Sequence, residues 1–260
     1  MQNNRPTLGH MTTQTWTKKP NEPGSARAEA AGLRWLREGS DAVVEVFDVD
    51  DSQLVIERVA SVRPTREAAA QAGRELARIH AAGADKYGTP PPGWDGPFYF
   101  GVQQQTCDPV DDWADFYANQ RVRPYLRRAL KIGTMSGDDV DVVEKALELL
   151  DRVPCDGPVR THGDLWAGNL MFDSSGPRFI DPAACGGHRE ADLAMLALFG
   201  APHLDAIRAG YQEIHPLPDG WLDFTCVHQL HPLAAHAVTH GPLYGQETVQ
   251  AAWAAISLLS

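Results

Sequence analysis

Cysteine is scarce in this chain of 260 residues. There are four, Cys107, Cys155, Cys185 and Cys226, widely scattered and in no C-x-x-C or Cys/His ligand spacing. That argues against a disulfide framework or a Cys-based metal scaffold and predicts free thiols in a reducing cytoplasm. Long apolar runs are missing too. No uncharged stretch reaches the roughly 18 residues that a membrane-spanning helix needs, and the amino terminus shows no basic segment, apolar segment and cleavage site in succession. Positive charge is in deficit: 23 Lys and Arg against 34 Asp and Glu leave a net charge of −11. A general nucleic-acid binder needs a basic footprint, so that class is set aside. Apolar residues still make up 43% of the chain, enough for a sizeable core in one large domain or two lobes.

In order along the chain, residues 1–15 are expected to form a short polar tail. Gln14 to Lys19 reads as a strand with Trp16 and Lys18 on one face. An Ala/Leu/Glu-rich helix follows from Ser25, its expected N-cap, to Glu38. Val43–Phe47 and Leu54–Val59 read as strands paired around the turn Asp48–Asp51. Residues 16–60 therefore form a small strand-containing lobe. Residues 61–260 form a mainly helical lobe. Its helices are expected at Thr65–Ala82, with Ala68, Ala72, Leu76 and Ile79 on one stripe, at Asp112–Leu130, broken near Pro124, at Asp138–Val153 and at His188–Phe199. About three more should follow Leu204. Lys86–Gly101, with the run Pro90-Pro91-Pro92-Gly93, is a linker or lid candidate. The fold class is α+β.

The most informative stretch is 161–181, THGDLWAGNLMFDSSGPRFID. Two short apolar runs, Leu170–Phe172 and Arg178–Ile180, flank a Ser/Gly/Pro turn and read as a β-hairpin. A turn centred on Ser175 would place Asn169 directly across from Asp181. With Asp164 just upstream, an amide oxygen and two carboxylates then make a hard-oxygen site suited to Mg²⁺. The spacing Asp-x-x-x-x-Asn, then Asp after a hairpin, matches the catalytic loop and metal aspartate of protein kinases, and so points to phosphoryl transfer from ATP. Each residue alone also fits a surface hairpin with polar ends; together they fall where one mechanism needs them. Asp164 is then the candidate catalytic residue, orienting the acceptor hydroxyl, and Asn169 and Asp181 are the metal ligands. Lys18, or its neighbour Lys19, would neutralise phosphates, steered by Glu29. The backbone at Glu57, Arg58 and Val59 is the candidate adenine contact, and Asp192 a brace for the Asp164 loop.

His162-Gly163-Asp164-Leu165-Trp166-Ala167-Gly168-Asn169 resembles the H-G-D-L-W-x-G-N signature of the fructosamine (ketosamine 3-) kinase family. So does Asp181-Pro182-Ala183 followed by Gly187-His188-Arg189-Glu190-Ala191-Asp192-Leu193-Ala194-Met195. Glu29–Leu33, Asp111–Trp113, Leu230–Leu233 and His236-Ala237 extend the likeness from about Lys18 to near the carboxyl end. The resemblance implies a protein-kinase-like bilobal fold with ATP and Mg²⁺ as cofactors. It further implies phosphorylation of the sugar 3-hydroxyl of ketosamines, free or protein-linked, a deglycation repair. Trp166 and His162 would then belong to the substrate site. One departure stands out: the residues before Lys18 hold a single glycine, Gly9, and cannot form the Gly-rich phosphate-covering loop. Two further functions stay open, a kinase for aminoglycosides or other amino-alcohols, and a non-catalytic ketosamine-binding module. Oligomeric state is not legible.

Overall fold

The computed structural model describes residues 14–260; most of the expected tail, 1–13, lies outside the described residues. The small lobe is built from β1 (Thr15–Lys18), α1 (Ser25–Arg37), β2 (Val46–Val49) and β3 (Leu54–Glu57). The strands form one antiparallel sheet in the order β1–β3–β2, with Trp16 opposite Ile56, Lys18 opposite Leu54, and a bulge between Val46 and Asp48. Leu54 and Ile56 alternate inward and bury against Leu33 and Leu36 of α1. The N-cap of α1 is not Ser25 but Gly24, whose φ of 78° suits glycine. β2 also starts later than the apolar pattern suggests. Val43 and Val44 are fully buried, and the Val44 N–H bonds to the Phe179 carbonyl at 3.1 Å while the Phe179 N–H bonds to Ala42 at 2.9 Å. An apolar pair read as a strand of the small sheet instead ties that lobe to the 161–181 hairpin.

The helical lobe begins with α2 (Arg66–Ala81), capped by Thr65, whose hydroxyl accepts from the Ala68 N–H at 3.1 Å. The end of the Pro/Gly-rich stretch is not irregular: β4 (Phe98–Phe100) pairs with β5 (Gln103–Gln105). The expected helix over 112–130 divides into α3 (Trp113–Phe116), a π-helical turn over Tyr117–Val122, and α4 (Arg123–Ile132). Pro124, which has no N–H to donate, occupies the first turn of α4, where none is needed. Next come α5 (Gly137–Leu147), opened by a Ser136/Asp139 capping box, then β6 (Val159–Thr161), β7 (Leu170–Asp173), β8 (Gly176–Phe179) and β9 (Cys185–Gly187). β6 pairs with β9 and β7 with β8, both antiparallel. The chain closes with α6 (Glu190–Leu198), α7 (Leu204–Ile214), α8 (Thr225–His240) and α9 (Pro242–Leu259).

Two packing features position the site. α2 and α7 cross with backbones touching: a Cβ on Gly73 would lie 1.9 Å from the Ile207 carbonyl oxygen, and one on Gly210 1.9 Å from that of Ala70. That close crossing lets the His80 ring of α2 meet the Tyr211 hydroxyl of α7 at 2.8 Å. α8 carries Pro232 in its interior. One turn earlier the Tyr117 hydroxyl enters the helix ladder, donating to the Val227 carbonyl at 2.7 Å and accepting from the His231 N–H at 3.1 Å. No helix among the described residues is long and apolar enough to cross a membrane.

Candidate active site

β6 delivers its last residue to a tight turn, His162-Gly163-Asp164. Gly163 has φ +80°, and a Cβ there would sit 2.2 Å from the Ala183 carbonyl oxygen, so glycine alone fits. The buried Asp192 carboxylate accepts the N–H groups of His162 at 2.7 Å and Gly163 at 2.9 Å, and meets His80 Nε2 at 3.0 Å. Burial alone would raise its pKa, but the bonds from His80 and the loop outweigh that and hold it below the usual carboxylate range. A relay of side chains from Tyr211 through His80 to Asp192 thus fixes the turn that presents Asp164.

His162 does not face a ligand. It is fully buried, its Nε2 meets the Ile180 carbonyl at 2.9 Å, and its Nδ1 lies 3.3 Å from the Asp164 N–H. Both ring nitrogens are used to tie the turn to the strand that precedes Asp181, so the expected substrate contact is corrected to a fastening role.

The hairpin register also needs correction. Leu170 faces Phe179, and the Ile180 N–H bonds to the Asn169 carbonyl at 3.1 Å, so Asn169 opposes Ile180 rather than Asp181. A one-residue slip normally sends a side chain to the other face. Here the ladder ends at Phe179, and Asp181 takes a left-handed backbone, φ 54°, one of two such non-glycine residues among those described. The two residues still converge. Asn169 Nδ2 donates to the Asp164 carbonyl at 2.8 Å and its carboxylate at 3.3 Å, and lies 3.4 Å from the Asp181 carbonyl. Left-handed backbone at a non-glycine residue costs about 1–3 kcal/mol and concentrates at functional sites.

Across the cleft, β1 and α1 contribute Lys18 and Glu29. Lys18 Nζ lies 2.7 Å from Glu29 Oε2 and 3.1 Å from Asp181 Oδ1, whereas Lys19 forms no ion pair among the described residues. Burial opposes the Lys18 charge, but Glu29 and Asp181 outweigh it and raise its pKa. Burial pushes the Glu29 carboxyl up to about 7 in spite of Lys18, and its Oε1 is buried without a partner. Glu57, Arg58 and Val59 are not part of this cleft. The Glu57 N–H is taken by Glu45 at 2.9 Å and the Arg58 N–H by Gln14 at 2.9 Å; the Glu57 carboxylate turns to Arg178 at 3.5 Å, and Val59 packs against the core. The Glu57 and Arg58 N–H groups are thus spent within the small lobe.

Two cavities meet at Asp164. One, of about 260 Å³, is bounded by Lys18, Glu29, Leu54, Asn169 and Asp181. The other, of about 450 Å³, is bounded by Phe100, Phe199, His236, His240 and Tyr244. Asp164 and Trp166 line both. Trp166 is 43% exposed, and Gly168 leaves its ring room: a Cβ there would fall 2.3 Å from it. Burial, then the charge of Asp181, push the Asp164 carboxyl up to about 7. The second cavity's wall is a run of packed rings, His236 stacked on His240 at 4.9 Å and tilted against Tyr244 at 5.1 Å. His236 and His240 sit one turn apart on α8, a spacing that points to a common face, whereas Tyr244 lies on α9, beyond the break at Gly241; His236 belongs to the segment that carries the family likeness.

The donor set fits a hard divalent cation. Asn169 spends its Nδ2 inside the loop, its Oδ1 makes no hydrogen bond among the described residues, and Asn169 and Asp181 line the same cavity.

Comparison with known proteins gives a consistent picture. A family model described as fructosamine kinase matches residues 17–257. A probable ketoamine kinase of Enterococcus faecium is 34% identical over 182 residues, 67% of this chain; the match spans only 62% of that relative's length. A crystal structure from Thermobifida fusca, provisionally assigned as a fructosamine-3-kinase, is 43% identical with a TM-score of 0.88, covering 94% of this chain and 86% of that one. A choline kinase from Streptococcus pneumoniae is 12% identical with a TM-score of 0.59, covering 96% of this chain and 88% of that one, and shares the fold, which is protein-kinase-like.

Proposed function

The chain belongs to the fructosamine kinase family, and from that premise we propose that it transfers the terminal phosphoryl group of ATP to the sugar 3-hydroxyl of a ketosamine. The product is then labile and releases its amine, a deglycation. One observation carries this reading: the Asp164 carboxylate stands where two chemically different cavities join. The first has the cation and hard-oxygen donors that a nucleotide triphosphate needs; the second has the aromatic walls that a sugar with an apolar substituent needs.

Phosphoryl transfer asks the protein for alignment and charge neutralisation more than covalent work. Asn169 and Asp181 would hold Mg²⁺, which supplies neutralisation of the phosphate oxygens. Lys18, held in place by Glu29, adds a second positive charge on the small-lobe side. Asp164 orients the acceptor hydroxyl and takes its proton; its raised pKa makes it a better acceptor than an ordinary carboxylate. Trp166 covers the sugar face. Among the described residues, Asp164 alone brings a carboxylate to the acceptor cavity, a poor match for polycationic aminoglycosides. Four free thiols support a reducing compartment such as the cytoplasm.

Incubation with Mg-ATP and a panel of fructosyl- and ribulosyl-amines should yield ADP, with ³¹P NMR placing the phosphate on the 3-position. No ADP above background with any ketosamine would overturn the proposal; turnover of aminoglycosides alone would reassign the acceptor.

A further inference from the structure

A second cluster of reactive side chains lies outside the cleft, in the core of the helical lobe. His188 and Glu190 form the corner between β9 and α6, and His228 faces them from α8. All three are buried, and one ligand atom from each lies within 4.8 Å of the others. Their polar atoms are short of partners. His228 is 2% exposed, yet neither ring nitrogen makes a hydrogen bond among the described residues; Glu190 is 5% exposed and its Oε2 makes none there either. Polar atoms buried without partners are rare in folded proteins and each calls for an explanation, an unseen ion or water among them. His228 Nε2 and Glu190 Oε2 are 3.4 Å apart, so the orphaned atoms share one spot.

His188 is the third member, within 4.8 Å of the other two. Its Nε2 is 3.0 Å from the Pro154 carbonyl, which places the ring proton there, and its Nδ1 accepts the Glu190 N–H at a long 3.3 Å, a bond it exchanges for the ion. A backbone carbonyl fixing the far nitrogen is the usual arrangement of a metal-binding imidazole. Trp113 seals one side, 5.2 Å from the His188 ring and 5.4 Å from that of His228. A cavity of about 50 Å³ bordered by Trp113, His188 and His228 leaves space for one water.

We propose that His188, Glu190 and His228 bind a zinc ion, with a water from this cavity as fourth ligand. Two imidazoles and one carboxylate suit Zn²⁺, whereas Mg²⁺ prefers an all-oxygen octahedron. Donors about 2.0–2.1 Å from zinc lie roughly 3.3 Å apart in a tetrahedron, so the His228–Glu190 pair, at 3.4 Å, is already spaced for it, and His188, within 4.8 Å of both, draws closer with its Nε2 still on Pro154. The ion joins α8, beside its Pro232 irregularity, to the corner two residues before Asp192. It therefore staples the helix to the segment that braces the Asp164 turn, and plays no part in the phosphoryl-transfer step.

The test uses the full chain, stripped with a chelator, desalted and loaded with Zn²⁺ or Co²⁺ in the absence of nucleotide. Expected are about one zinc per chain retained through gel filtration, a melting temperature raised by about 5 °C with zinc at a hundredfold excess over Kd, and the strong visible bands of tetrahedral Co²⁺, erased by Zn²⁺. Co²⁺ should also quench Trp113 fluorescence. His228→Gln should abolish the bands, and Asp181→Ala, in the cleft, should keep them. No retained zinc and no Co²⁺ bands in the unsubstituted protein would leave water as the occupant and overturn the proposal. So would bands unchanged in His228→Gln or lost in Asp181→Ala. The Co²⁺ spectrum needs no variant, so a poorly folding substitution does not block the result.

Discussion

Replacing Asp164 with Asn should abolish turnover and, at the same time, make the protein more stable above neutral pH. The carboxyl is pushed up to about 7, first by burial and then by the charge of Asp181; in the unfolded chain an Asp titrates near 3.9. The folded state therefore prefers the protonated acid. Stability from this site is fully present below about pH 4 and is lost as pH rises toward 7, where the folded-state group finally ionises. A gap of about three pH units corresponds to roughly 4 kcal/mol at one end of that window. Because Asp164 is only partly shielded from solvent, we expect about 1–3 kcal/mol. Asn keeps the shape and one acceptor oxygen for Asn169 Nδ2, 3.3 Å away, and carries no charge to desolvate. Urea unfolding without nucleotide or metal, at pH 5 and pH 8, should show Asp164→Asn gaining on the unsubstituted protein, with the larger gain at pH 8. Turnover should fall by roughly 10³-fold or more while nucleotide affinity is kept. Equal stabilities at pH 8, or a gain no larger there than at pH 5, would refute the electrostatic reasoning; undiminished turnover would refute the role.

Three other outcomes follow. Asp181→Ala should abolish Mg²⁺-dependent nucleotide binding by calorimetry, and equal affinity in both proteins would contradict the metal assignment. Asp192→Asn keeps one oxygen to serve donors from His80, His162 and Gly163, so unfolding should cost about 2–4 kcal/mol less. Its turnover should drop with nucleotide affinity nearly unchanged, measured by steady-state kinetics. Gly73→Ala drives a methyl to within 1.9 Å of the Ile207 carbonyl oxygen, so α2 and α7 must separate; a loss of about 3 kcal/mol in chemical denaturation is expected.

Much of the architecture was legible because it rests on local pattern. The stripe that predicts a helix over Thr65–Ala82 is matched by α2, with Thr65 capping it. The helices expected after Leu204 occur as α7, α8 and α9. The pairing of β7 with β8 follows from two apolar runs about a Ser/Gly turn. Errors cluster where a neighbour distant in sequence decides. Val43 and Val44 look like strand residues of the small sheet, but both are buried in the core beside Phe179, and the Val44 N–H goes to the Phe179 carbonyl while that of Val43 goes to Ser40. His162 has the chemistry of a ligand contact, yet tertiary packing buries it and spends both nitrogens. The N–H groups of Glu57 and Arg58, in the stretch expected near adenine, go to Glu45 and Gln14.

The sequence by itself determined which chemical groups the chain can bring to a reaction: Asp164, Asn169 and Asp181 in kinase-like spacing, within a segment whose period-2 pattern can form only a short hairpin. Which of those groups face a common space was decided by the tertiary structure. A ladder one residue out of the expected register should have parted Asn169 from Asp181, and the left-handed turn at Asp181 brings them together again. The closing of the acceptor cavity by Phe100 and Phe199 against His236, and the buried meeting of His188, Glu190 and His228, exist only because α8 packs against elements dozens of residues away. Spacing along a chain encodes contacts within a turn or a hairpin, but not contacts made by the closing of the fold.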